Sequence, residues 1–159
     1  MRRSKSAEPR DSLDLTTTRA LPFRLLKLTN LVSRPFFGQV AKQHELTLNE
    51  WRTLFVLANH PGISPAEISA HTGLQQMNIS RVVASLRKSG RVTEAPDPRD
   101  LRRTLVSLTK SGVGTYQAIA QSAREHTRLL FADIGPDELA VFSDVLDALI
   151  EKAEALLQR

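Results

Sequence analysis

A mainly α-helical chain carrying one small β-hairpin is what this sequence predicts. Three observations carry that expectation. Apolar residues recur at three- and four-residue spacing in six segments, the signature of helices with one buried face. Two Ser/Thr-x-x-Glu strings, at Thr47–Glu50 and Ser64–Glu67, mark helix starts. One segment alone, Val92 to Leu108, shows strand-like alternation about a turn rich in proline and aspartate.

Residues 1–19 are polar and without apolar periodicity, and are read as a flexible basic tail. The first helix is expected from Leu21 to His44. Leu21, Leu25, Leu28 and Val32 share one face, Phe36 and Val40 continue it, and Pro35 bends or interrupts it. Thr47 then caps a helix in which Trp51, Leu54, Phe55 and Leu57 are partly buried, and His60-Pro61-Gly62 ends it. Ser64 caps a short helix with Pro65 at its first position and Glu67 completing the box. That helix stops at Gly73, which can take a positive φ.

The next helix spans Leu74 to Ser89 and buries Ile79, Val82, Val83 and Leu86. Two helices joined by a tight glycine turn form a helix-turn-helix. In the segment that follows, Pro96, Asp97, Pro98 and Asp100 mark a turn. Thr104, Val106 and Leu108 face one side of a strand, with Arg103 and Ser107 on the other. This hairpin reads as a wing. Thr109 caps a helix from Lys110 to about Ile134, weakened in its first turn by Gly112 and Gly114, with Tyr116, Ile119, Ala123 and Leu130 on its apolar face. Gly135-Pro136 starts the last helix, where Leu139, Phe142, Leu146, Leu149, Ala153 and Leu156 form a heptad-like seam.

The result is a winged helix-turn-helix with N- and C-terminal helices forming a dimerisation lobe. The expected divisions are a tail over 1–19, a dimerisation helix over 20–46, the winged domain over 47–109 and dimerisation helices over 110–159.

Composition narrows the function. With 159 residues, 41% hydrophobic and 25% charged, the chain is of ordinary globular make-up. It has no cysteine, which excludes disulfides, cysteine metal sites and thiol sensing. No stretch is long and apolar enough to cross a membrane, and Met1-Arg2-Arg3-Ser4 leads into polar residues, so a cytoplasmic protein is expected. Residues 81–110 carry a net +5 and residues 111–159 a net −4. A concentrated basic stretch suits a polyanion such as double-stranded DNA.

With its apolar face turned inward, the Leu74–Ser89 helix leaves Gln75, Gln76, Asn78, Ser80 and Arg81 outward or at its start. Gln and Asn can bond adenine, Arg can bond guanine, and Met77 can meet a thymine methyl. In the wing, Arg99, Arg102 and Arg103 sit on or beside the turn, and a narrow minor groove attracts arginine. At least one of Asp97 and Asp100 is expected to pair with a wing arginine and fix the loop. Ser64, at the head of the helix-turn-helix, completes the candidate contact set.

An enzyme would need convergent acid, base or nucleophile groups. His44, His60, His71 and His126 are scattered, without metal-ligand spacing, and no glycine-rich phosphate loop is present, so no catalytic residue, metal or cofactor is expected. A winged helix used only for protein binding is the alternative reading.

The string Asp97-Pro98-Arg99-Asp100-Leu101-Arg102-Arg103-Thr104-Leu105-Val106-Ser107-Leu108-Thr109-Lys110-Ser111-Gly112 resembles the wing signature of the MarR family of bacterial regulators. Ala66-Glu67-Ile68-Ser69 and Thr72-Gly73-Leu74 resemble its helix-turn-helix. The resemblance implies a homodimer on inverted-repeat operators, usually a repressor, with Arg81 and Arg99 as recognition-helix and wing-tip arginines. It also implies a small effector, often an aromatic acid, for which Trp51 could stack and Arg24, Arg52 or Arg124 could pair with a carboxylate. Gln75-Gln76-Met77-Asn78 departs from the Ser/Thr-rich start common in the family.

Overall fold

The computed structural model describes residues 20–35 and 41–157. Its elements, in chain order, are α1 (Leu21–Pro35), α2 (Ala41–His44), α3 (Leu48–Asn59), α4 (Pro65–Thr72), α5 (Gln76–Lys88), β1 (Val92–Asp97), β2 (Asp100–Leu108), α6 (Lys110–Leu130) and α7 (Pro136–Leu157). The chain divides into two compact units between Tyr116 and Gln117, within α6.

Local chemistry sets most of the boundaries. Thr47 and Ser64 each close a full capping box, accepting from the backbone of Glu50 and Glu67 while those carboxylates accept from the cap N–H. Gly73 closes α4 at φ 68°, where a side chain would be strained. The Ser69 hydroxyl locks the following turn by donating to the Leu74 carbonyl. Thr109 accepts from Gly112 N–H at 3.1 Å and starts α6. Gly112 is more than a weak helix residue: a Cβ there would overlap the carbonyl oxygen of Arg91, so glycine lets the head of α6 lie against the exit of α5.

Several expectations are revised. Of the helix expected over Leu21–His44, Leu21–Pro35 and Ala41–His44 are helical, and the residues between them lie outside the described ones. Phe36, Val40 and the 1–19 tail lie outside the described residues. The helix expected to reach Ile134 ends at Leu130, where tighter three-residue bonds such as Ala132 N–H to Leu129 O take over before Gly135. Phe55 is exposed and Val56 takes the buried place expected of it. In the wing only Pro98 and Arg99 form the turn, so Pro96, Asp97 and Asp100 belong to the strands.

The core of the first unit is built where α3, α4 and α5 pack on one another and on the hairpin. Leu54, Leu57, Ile68, Ile79, Leu86 and Val106 are fully buried there, with Val83 and Val92 close behind. The strands pair antiparallel from Val92–Leu108 outward to Pro96–Thr104, with an irregularity before Asp97–Asp100. A backbone bridge from Val106 N–H to Ile63 O at 2.8 Å ties the base of the wing to the turn before α4.

Candidate nucleic-acid interface

The recognition face is set by what α5 buries. With Ile79, Val83 and Leu86 inward, Gln75, Gln76, Met77, Asn78, Ser80 and Arg81 are all exposed. Gln75 is the N-cap, but its side chain does not cap the helix, so its amide group is not spent there. Met77 is 66% exposed, which a thioether at a helix start gains nothing by unless it meets a partner. The Arg81 guanidinium lies along the helix with a nitrogen 3.9 Å from the Met77 sulfur. Ser80 donates back to the Gln76 carbonyl.

The wing is shaped by its acids, though not by pairing with guanidinium groups as expected. Asp97 Oδ1 accepts from the Arg99 backbone N–H at 2.9 Å, and Asp100 Oδ1 accepts from that of Arg102 at 3.1 Å. These short Asx bonds fold the tip and leave both arginine heads outside any ion pair among the described residues. Arg99, Leu101 and Arg102 are exposed, and Leu101 is 80% so.

Ser64 and Arg103, both expected among the DNA contacts, meet at the head of α4. Ser64 is buried and its hydroxyl serves the α4 capping box. Arg103 Nη2 reaches Glu67 Oε2 at 3.0 Å and Ser64 Oγ at 3.4 Å, across from the wing to the head of α4. The Ser64 hydroxyl and backbone N–H, with Arg103 behind them, hold the Glu67 carboxyl below the usual carboxylate range.

Glu50 is the structural hub that the sequence reading treated only as a cap. Beyond Thr47, it accepts from the Ser85 hydroxyl at 2.6 Å and so ties the start of α3 to the end of α5. Burial pushes its carboxyl up, but the bonds from Ser85 and Thr47 and the charge of Arg91 outweigh it and leave the group lowered.

Among the residues expected to meet an effector, Trp51 and Arg52 sit half-buried on α3. Trp51 stacks on Tyr116 with centroids 5.7 Å apart and tilts against Phe55 at 6.2 Å, and Phe55 meets Tyr116 edge-on at 6.3 Å. Tyr116 and Phe55 were not among the expected site residues, although Trp51 and Phe55 are four apart on one helix. Arg24 is exposed on α1, and Arg124 is exposed in the second unit. Among the described residues no cluster of three or more metal-ligating side chains occurs, and no helix is long and apolar enough to cross a membrane.

Comparison with known proteins decides the family. Residues 44–103 match the MarR family profile. The chain is 30% identical to the HTH-type transcriptional repressor NicR of Pseudomonas putida over 118 residues, 74% of this chain and 75% of that one. The chain belongs to the MarR family. It is a DNA-binding transcriptional regulator, and its mainly helical fold with a two-stranded wing is that of the MarR-type winged helix-turn-helix. It is also similar to the homoprotocatechuate degradative operon repressor of Escherichia coli, 22% identical over 72% of this chain and 78% of that protein. Among solved structures it is similar to the PcaV transcriptional regulator of Streptomyces coelicolor in complex with its natural ligand. That likeness has a TM-score of 0.73 and 26% identity, covering 91% of this chain and 99% of that one.

Proposed function

We propose that this MarR-type regulator is a cytoplasmic, homodimeric repressor without catalytic activity, released from an inverted-repeat operator by a small aromatic acid. One observation carries the DNA-reading part. The exposed polar start of α5 and the unpaired arginines of the wing tip belong to one compact unit. In each protomer α5 enters the major groove, where Gln75, Gln76, Met77, Asn78, Ser80 and Arg81 meet base edges and flanking phosphates. Arg99 and Arg102 enter the adjacent minor groove. Two protomers read half-sites about one helical turn, ~10 bp, apart.

The effector part rests on the aromatic cluster of Trp51, Phe55 and Tyr116, with the half-buried Arg52 next in the chain. Such a group offers π faces to an aromatic ring and a cation to its carboxylate. The natural ligand held by PcaV and the degradative operon named for the Escherichia coli relative point the same way.

Selection of bound sequences from a random duplex pool, with and without aromatic acids, tests the whole. A palindromic consensus lost in the presence of an acid is expected. Recovery of no sequence preference would overturn the operator reading. The single tryptophan makes the effector visible by fluorescence: a saturable change at Trp51 that tracks release from DNA is expected. No change with any acid that releases DNA would remove Trp51 from the pocket.

A further inference from the structure

The wing is a two-stranded ribbon, and such a ribbon has little stability or stiffness of its own. Its base is held by the backbone bridge between Val106 and Ile63. Three residues nearer the tip, Arg103 meets the capping box of α4. The residues beyond it, Asp100 to Arg102, reach out into solvent.

We propose that Arg103 is a positioning residue that latches the wing to the head of α4 and thereby fixes the height of the wing tip relative to α5. The inference rests on the DNA-reading role proposed above for α5 and the wing tip.

Three features support it. One guanidinium nitrogen, Arg103 Nη2, reaches both Glu67 Oε2 at 3.0 Å and Ser64 Oγ at 3.4 Å, so the contact falls on the capping box itself. Its target is rigid, because Glu67 is already held by the Ser64 N–H at 2.8 Å and the Ser64 hydroxyl at 2.5 Å. Glu67 and Arg103 are each 48% exposed in their side chains, so the pair adds little to folding and its value is orientation. The acid at position 67 therefore has two tasks. It starts the first helix of the helix-turn-helix, and it anchors the arm that carries Arg99 and Arg102.

Two substitutions separate this from direct phosphate contact by Arg103. Glu67→Gln keeps a side chain competent for the capping box but removes the charge that holds Arg103. If Arg103 touched phosphate, losing the neighbouring acid would tighten DNA binding. If Arg103 is a latch, Glu67→Gln weakens operator binding, with about a five- to twentyfold loss expected across two wings. Arg103→Ala should weaken it by a similar factor. It should leave the slope of log affinity against log salt unchanged, whereas one lost phosphate contact in each wing flattens that slope by about 1.8. The double variant should bind no more weakly than Arg103→Ala alone.

A readout without DNA keeps the latch testable even if the operator reading fails. The chain has no cysteine, so Leu101→Cys carries a unique spin label at the wing tip. Greater label mobility is expected in both Glu67→Gln and Arg103→Ala, at temperatures where both remain folded. Unchanged mobility in both, or a flattened salt slope for Arg103→Ala, would overturn the latch. Salt-dependent operator binding by the parent protein checks the underlying reading independently.

Discussion

The winged unit and the last helix use apolar residues in opposite ways. In α3, α4 and α5 the apolar positions are spent inside: Leu54, Leu57, Ile68, Ile79 and Leu86 are fully buried within the single chain. In α7 no residue is buried, and Val141, Phe142, Val145, Leu149, Ile150 and Leu156 remain exposed. Both regions carry helical apolar spacing, so periodicity alone does not say whether a stripe is covered by its own chain. The winged unit has a core of its own. The α7 seam has the length and spacing of a helix packed along other helices, and in the proposed dimer a second chain covers it.

The sharpest way to break that contrast is to charge the seam. Phe142→Glu together with Leu149→Glu places acids where the proposed dimer buries apolar groups, and an uncompensated buried charge is strongly disfavoured. Light scattering should show the mass fall from a dimer to a 17.7 kDa chain, with operator binding lost. A parent protein that already runs as a single chain would end the comparison.

The same contrast predicts that truncation inside the winged unit is costly whatever the oligomeric state. Leu86→Ala, at a fully buried position of α5, should lower stability by about 2–5 kcal/mol in urea unfolding. A loss independent of protein concentration is expected from a core internal to one chain; a loss seen only near the dimer's dissociation range would contradict it.

A smaller effect tests the polar tie within the winged unit. Ser85→Ala removes a hydroxyl from the Glu50 carboxylate and should cost about 1–2 kcal/mol at neutral pH. The Glu50 carboxyl is lowered in the folded chain, so its contribution is complete above the ordinary carboxylate range and is lost as pH falls through the folded value. The urea midpoint should therefore fall less steeply with acid in Ser85→Ala than in the parent. Parallel acid limbs would show that Ser85 does not set the Glu50 charge.

The smallest change is a gain. Thr53 is fully buried, and its hydroxyl has no hydrogen-bond partner among the described residues. Thr53→Val keeps the shape and removes the unsatisfied group, and should raise stability by about 0.5–1 kcal/mol. A loss on that substitution would mean that the hydroxyl has a partner.

Much of this organisation was legible without coordinates, because it is local. A threonine or serine three residues before a glutamate fixes the heads of α3 and α4, and Gly73 and the proline- and aspartate-rich stretch around Pro98 punctuate the chain through their own backbone preferences. The inward face of α5 follows from spacing, and with it the outward set from Gln75 to Arg81. Charge composition placed the basic stretch over 81–110.

Contacts between distant residues were decided by packing alone. Ser85 meets Glu50 across 35 positions and Arg103 meets Glu67 across 36, while the Arg91 guanidinium donates to the His44 carbonyl across 47. Tyr116 stacks on Trp51 across the fold, and Gly112 lets the head of α6 lie close to the exit of α5. Periodicity states which side of an element turns inward. It does not state which partner waits there, and the contact of Arg103 with Glu67 is visible only in the fold.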